Sequence, residues 1–290
     1  MSEPSVHVER PADAQSFLDA AGPFLADREA ENNLLFGIAA NLITDPDRAM
    51  SAPPYFAAVR RDDEVVAAAL MTPPFNLVMS WTDDPAAMPA LAADLDRDRV
   101  HVPGVTAPVE MARAFAELWG GRHELATHRT MAQRIYRVER VTAPVGVPGT
   151  IRIATWADRE LLVEWVRDFL RDELGRDDGG EALALVDGSL RTGSRVFYLW
   201  EHEGQAVSVA GVTGPTPNGI RVGPVYTPPG DRRHGYASAV TAAASQAQLD
   251  QGRRFVFLFT DLANPTSNRI YQAIGYEPVI DIDQWAFEPT

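Results

Sequence analysis

The feature that most restricts this chain is a succession of apolar periods that runs through twice, once on either side of a stretch holding prolines and glycines. In residues 11–44, Phe17, Leu18, Phe24 and Leu25, then Leu34, Leu35, Ile38 and Leu42, fall at helical spacing and predict two amphipathic helices, the second ended by Pro46. Three short strands are expected at residues 55–59, 65–71 and 77–81, the first two joined by the polar turn RRDDE. Helices over residues 86–95 and 110–119 should flank a strand at 100–102, and a last strand should cover 131–138. The order is ααβββαβαβ.

The stretch TAPVGVPG, residues 142–149, has linker chemistry. After it the pattern restarts with a strand at 151–154, helices at 157–174 and 182–190, and strands at 196–200, 206–212 and 220–226. A helix over 235–249, a strand over 255–260, a helix over 265–274 and a closing strand near 284–287 complete an order βααβββαβαβ. The halves share this order although their residues differ, as after duplication of one domain type. The expected division is one domain over residues 1–143 and a second over 150–290.

Several chemistries are excluded by what the chain lacks. It has no cysteine, hence no disulfide framework, thiolate nucleophile or Cys-ligated zinc. All 26 basic residues are arginine, so there is no Schiff-base lysine and no Walker phosphate loop. A net charge of -14 argues against broad attachment to nucleic acid or anionic lipid. The opening MSEPSVHVERPADAQ lacks the basic start and apolar run of a secretory signal, and no stretch approaches the ~18 apolar residues of a membrane span. A cytoplasmic protein without membrane or nucleic-acid partners is expected. The six histidines show no H-x-x-x-H or mixed carboxylate spacing, so no metal is expected.

The chemistry concentrates in VGPVYTPPGDRRHGYASAVTAAASQ, where a strand runs through a proline-bearing turn into a helix rich in small residues. Gly235 permits a backbone conformation in which successive amides converge on an anion at the helix N-terminus. Residues 220–254 hold five arginines against two aspartates, a local surplus of positive charge in an acidic chain.

Arg232, Gly235 and Ala237 match [QR]-x-x-G-x-[GA], and this stretch resembles motif A of the GNAT superfamily of acyl-CoA-dependent N-acyltransferases. The following FVFLFTD and NPTSNRIYQAIGYEPV look like that family's next strand and helix, so the resemblance spans about residues 150–287. It implies an α/β (α+β) fold of two tandem GNAT-like domains, each a mixed, mostly antiparallel sheet flanked by helices. It also implies that Val225, Tyr226 and Thr227 line the pantetheine arm of acetyl-CoA, the co-substrate, with Gly223 and Pro224 supplying a bulge. The pyrophosphate would rest on Arg233, His234, Gly235, Tyr236 and Ala237, assisted by Arg232 and Ser238. Asn264 suits a helix cap by residue type, with Pro265 after it; the resemblance adds a cofactor contact. Tyr271, two helical turns on and on the same face, is the implied general acid toward the departing sulfur. Glu201, His202 and Asp261 are alternative candidate bases.

At the corresponding place in the first half stands TDDPAAMPALAADL, without glycine and led by Asp83 and Asp84. Acids there suit a helix N-terminus and repel a pyrophosphate, so a structural or substrate-shaping role is expected for that half. Three functions remain open: N-acetylation of a small-molecule amine, CoA binding without transfer as a sensor or scaffold, and acetylation of a protein amine. Acceptor, acyl length and oligomeric state are not legible.

Overall fold

The computed structural model describes residues 6–46, 50–175 and 179–290, so Met1–Ser5 of the leader reading lie outside the described residues. In the first half, β1 (Val6–Glu9) precedes α1 (Ala14–Ala26) and α2 (Asn33–Thr44). Asp13 starts α1 by accepting from the Ser16 amide at 2.7 Å, the usual service of an aspartate at a helix N-cap. Then come β2 (Tyr55–Arg61), β3 (Glu64–Met71), β4 (Leu77–Met79), α3 (Ala87–Arg97), β5 (Gly104–Pro108), α4 (Val109–His123) and β6 (Leu125–Val138). The second half repeats the order with β7 (Thr150–Ile153), α5 (Arg159–Leu174), α6 (Gly179–Thr192), β8 (Arg195–His202), β9 (Gln205–Thr213), β10 (Gly219–Tyr226), α7 (Tyr236–Asp250), β11 (Phe255–Asp261), α8 (Pro265–Ala273) and β12 (Glu277–Pro289).

The twelve strands among the described residues join one sheet in the order β1-β2-β3-β4-β5-β12-β6-β11-β10-β9-β8-β7. Most neighbours are antiparallel, while β4 with β5 and β10 with β11 are parallel. The closing strands of the halves have changed places. The last strand of the chain, β12, pairs with β5 of the first half from Ile282↔Pro108 to Ala286↔Gly104. In turn β6 pairs with β11 of the second half from Val256↔Val138 to Asp261↔Gln133. The two exchanged strands run side by side from Glu277↔Arg137 to Pro289↔Leu125. A cross-strand ion pair, Arg134 to Asp281 through bonds of 2.6 and 2.9 Å, sets their register from the surface.

Helices α3 and α4 cover one face of the first half over Val59, Leu77 and Val105, and α1 and α2 cover the other over Phe56, Ala58 and Leu70. In the second half α7 and α8 lie over Val222, Val256 and Leu258, while α5 and α6 lie over Phe197, Leu199 and Val209. Near-continuous apolar runs such as FVFLFTD follow from this two-sided burial.

The two halves also touch directly. Gly37 of α2 packs so closely on the turn after β9 that a Cβ would come within 2.9 Å of Gly214 Cα. Buried Glu29 accepts from the Thr216 hydroxyl at 2.5 Å and from the Asn218 amide and side chain, each at 2.7 Å.

Some expectations from the sequence need correction. Residues 100–102 are not a strand: Arg99 takes φ 51° and the Val100 amide returns to the Leu95 carbonyl at 2.9 Å, so this apolar run closes α3. The strand begins at Gly104, after Pro103. Strand β1 is an addition, an alternating VHVE too short to stand out. Strands β6 and β12 extend well beyond 131–138 and 284–287, because they pair with each other almost from end to end, with β11 and β5 on their outer edges over part of that length.

Candidate active site

Strands β10 and β11 pair only over Gly219↔Phe255, Ile220↔Val256 and Arg221↔Phe257, and beyond that they part. Against β9, β10 shifts register between Val222 and Val225, carrying one extra residue where Val222 opposes Val212 and Val225 opposes Ala210. The Gly223–Pro224 peptide lies in this bulge. Arg195 of β8 donates through Nη1 to the Gly223 carbonyl, fixing the bulge from the face that α5 and α6 cover. The gap ends the ladder between two parallel strands inside an otherwise continuous sheet, so beyond Arg221 and Phe257 their facing edges no longer pair with each other.

Beyond β10 the chain makes an anion-type turn. Arg233 has φ 71° and Gly235 φ 84°, two left-handed residues that swing consecutive amides to one side before α7. Gly235 is the N-cap of a 15-residue helix and offers no capping side chain, so the first-turn amides of α7 await an acceptor. A Cβ at Gly235 would also meet Val147 of the linker at 2.8 Å. This glycine is therefore required both by backbone conformation and by the linker crossing over it.

The expected site residues divide by side-chain position. Val225 and Thr227 are half-buried on the bulged strand, and the Thr227 hydroxyl lies 2.8 Å from that of Ser208. Tyr226 is buried beside Trp165, its hydroxyl 3.4 Å from Asp168, and burial with that carboxylate raises its pKa. Arg232 is turned back, donating to the Thr227 carbonyl at 3.0 Å and to Asp172 at 3.3 Å, and so ties the turn to its strand and to α5. Arg233 and His234 are exposed; the His234 ring stacks on Tyr236 at 5.5 Å. Tyr236 is buried and offers only its amide to the turn, while Ala237 and Ser238 are half-buried in the first turn of α7.

Asn264 caps α8, accepting from the Ser267 amide at 3.1 Å, with Pro265 at the first helical position. Tyr271 is 9% exposed, its ring edge-on to Tyr276 at 6.1 Å. Of the candidate bases, Glu201 accepts from Arg152 at 2.7 Å and Asp261 from the Ala263 amide at 2.8 Å. His202 lies with its ring 5.9 Å from that of Tyr236.

The model of the Acetyltransferase (GNAT) family matches residues 153–276, which contain the gap, the bulge and the turn. This half is a GNAT domain. No curated protein sequence matches the chain. Among solved structures, a Drosophila protein superposes with a TM-score of 0.67 at 14% identity, covering 98% of this chain and 99% of its own. A tandem GNAT protein from the clavulanic acid biosynthesis pathway gives 0.58 at 15% identity over 98% of both chains. A GCN5-related N-acetyltransferase from Sphaerobacter thermophilus gives 0.60 at 16%, over 98% of this chain and 95% of its own. At such identities these likenesses establish the fold, two GNAT-like halves in tandem, and for residues 153–276 the match to the GNAT family implies acyl transfer from acetyl-CoA.

The first half has the fold without the anion turn. At the place of the arginines and glycine, Asp84 is held by Arg61 through bonds of 2.5 and 2.6 Å and accepts from the Ala86 amide at 2.9 Å. The Arg61 guanidinium holds the Asp84 carboxyl below its ordinary pKa. Asp83 accepts from the Trp81 indole at 3.0 Å, and both aspartates line a cavity of about 500 Å³ with Phe24, Arg28 and Trp81. Among the described residues no cluster of histidines and carboxylates could hold a metal, and no helix is long and apolar enough to cross a membrane.

Arg221 was not singled out by sequence reasoning. It stands inside the strand IRVGPVY on the half-buried side, opposite in parity to buried Val222, Pro224 and Tyr226, and the strand pattern carries no signal for it.

Proposed function

We propose that the chain is an N-acetyltransferase that moves an acetyl group from acetyl-CoA to a primary amine of a small molecule, in the second half. The observation that carries this reading is the continuity of the site: the β10–β11 gap opens at Arg221, the bulge follows, and the uncapped amides of α7 stand at the far end. The residues present fit the co-substrate. Val225 and Thr227 would meet the pantetheine amides, the Arg233–Ala237 amides the pyrophosphate, and Ser238 would add a hydroxyl donor. Bound acetyl-CoA supplies an activated thioester carbon.

The amine must be neutral to attack, so an ammonium substrate first gives up a proton to water or to a side chain such as His202. A nitrogen–carbon bond then forms, the carbon–sulfur bond breaks, Tyr271 gives its phenolic proton to the departing thiolate, and the proton lost from the acylated nitrogen restores the phenol, leaving amide and free thiol. The close seat of α2 on the turn after β9 supports a small acceptor over a folded protein.

Engagement of Glu201 by Arg152 and of Asp261 by its own loop favours a second reading, a CoA-binding protein without transfer. Thiol release from acetyl-CoA, followed over an array of small amines, separates the two. Acceptor-dependent release that falls about 100-fold in Tyr271→Phe supports the enzyme. Binding of acetyl-CoA with no release for any amine supports the second reading.

A further inference from the structure

At the closed end of the β10–β11 gap, where the strands are last paired, lies a guanidinium without a counter-charge. Arg221 is the last residue of β10 paired to β11, and its Cζ stands 5.5 Å from the ring centre of Phe259 on β11. Its Nη1 is sealed from solvent and has no hydrogen-bond partner, and among the described residues no carboxylate forms an ion pair with it. Burial lowers its pKa to about 10, which leaves it cationic at neutral pH. The side chain is half-buried, and a sealed, unpartnered Nη1 on it costs stability that an anionic ligand group would restore.

The surroundings suit an anion. Arg195 and Arg221 both oppose Thr213, one from each side of β9, so the two guanidinium-bearing residues share a sheet face. Arg195 is the residue that holds the Gly223 carbonyl of the bulge. Over this face lies α2 of the first half, whose Asn41 donates to the Thr213 hydroxyl at 3.2 Å. From Arg221 to the bulge is two residues of strand, about 7 Å, close to the span between the two ends of a small zwitterion once the arginine's own reach is included.

Resting on the acetyltransferase reading, we propose that Arg221 receives the carboxylate of the acceptor, so that the substrate class is an amino acid, its amine directed toward the bulge. Phe259 would hold the guanidinium plane from behind, and Arg195 would add field without giving up its hold on Gly223.

The test compares a panel of free α- and ω-amino acids with their carboxamides, on wild type and on Arg221→Met, by thermal shift without acetyl-CoA and by turnover with it. The expected result is that at least one amino acid raises the wild-type Tm by about 2 °C or more while its carboxamide does not. In turnover, kcat/KM should favour that amino acid by about tenfold or more, and Arg221→Met should abolish both preferences. The variant itself should melt no lower than wild type, since it removes an unpaired charge. Should it fail to fold, Arg221→Gln replaces it. Equal responses to acid and carboxamide, or a preference that survives in the variant, would overturn the proposal. Separate titration of acetyl-CoA identifies failure of the parent reading, because the carboxylate response is measured without it.

Discussion

At the residue scale, the second half rests on a few side chains with separable duties. Arg152 holds Asp158 through bonds of 2.8 and 2.7 Å, and Asp158 also accepts from the Thr155 amide in a capping box on the 3-10 turn that leads into α5. The arginine lowers the Asp158 pKa from 3.8 to about 2. A carboxyl depressed on folding contributes stability that is present above its unfolded pKa and disappears as pH falls through the folded value. Asp158→Asn should therefore cost about 1–2 kcal/mol at neutral pH, and urea titrations should show the gap between variant and wild type closing between about pH 4 and pH 2. Tyr271 has a different expected profile. Removing its hydroxyl leaves the edge contact with Tyr276 in place, so Tyr271→Phe should keep acetyl-CoA affinity within about twofold while kcat falls about 100-fold.

At the element scale, what was legible in the sequence was whatever follows from local rules. The Asn264–Pro265 start of α8 and the glycine turn before α7 are written in adjacent residues, and the structure has both, since capping and positive φ are decided within one turn of chain. Less legible was anything decided by a distant partner. Residues 100–102 read as a strand by apolarity, yet the Val100 amide closes a helix. The ends of β6 and β12 depend on strands from the opposite half, which local periodicity does not reveal. Arg221 was passed over because an arginine in a strand usually faces water, and only tertiary packing seals its Nη1. For α7, an acid in the first turn favours the helix while opposing a bound pyrophosphate. Ser238→Glu should hold or raise Tm, by thermal melting, and weaken acetyl-CoA binding by about tenfold or more.

At the scale of the whole molecule, the exchange of β6 and β12 makes the halves complete one another. A fragment of residues 150–290 would leave the β11 edge bare, and one of residues 1–143 would leave β5 bare, each an aggregation-prone strand edge. Each fragment alone is expected to be insoluble, with co-expression restoring a soluble complex; a monodisperse, folded 150–290 fragment would contradict this. The seam has a polar lock as well. Glu29→Ala strips three donors of their acceptor in a buried place and should cost about 2–4 kcal/mol in urea unfolding. The first half lends the second a central strand and lays α2 against it through Asn41 and Thr213, while its own turn carries Asp83 and Asp84 in place of an anion site. The central claim is that acetyl-CoA lies on the uncapped amides of α7 in the second half, and the most direct measurement is calorimetric titration of acetyl-CoA into wild type and into Ser238→Glu. One site per chain in wild type, lost or weakened about tenfold or more in a variant of undiminished Tm, is the predicted result; no binding to wild type, or equal binding to both, would contradict it.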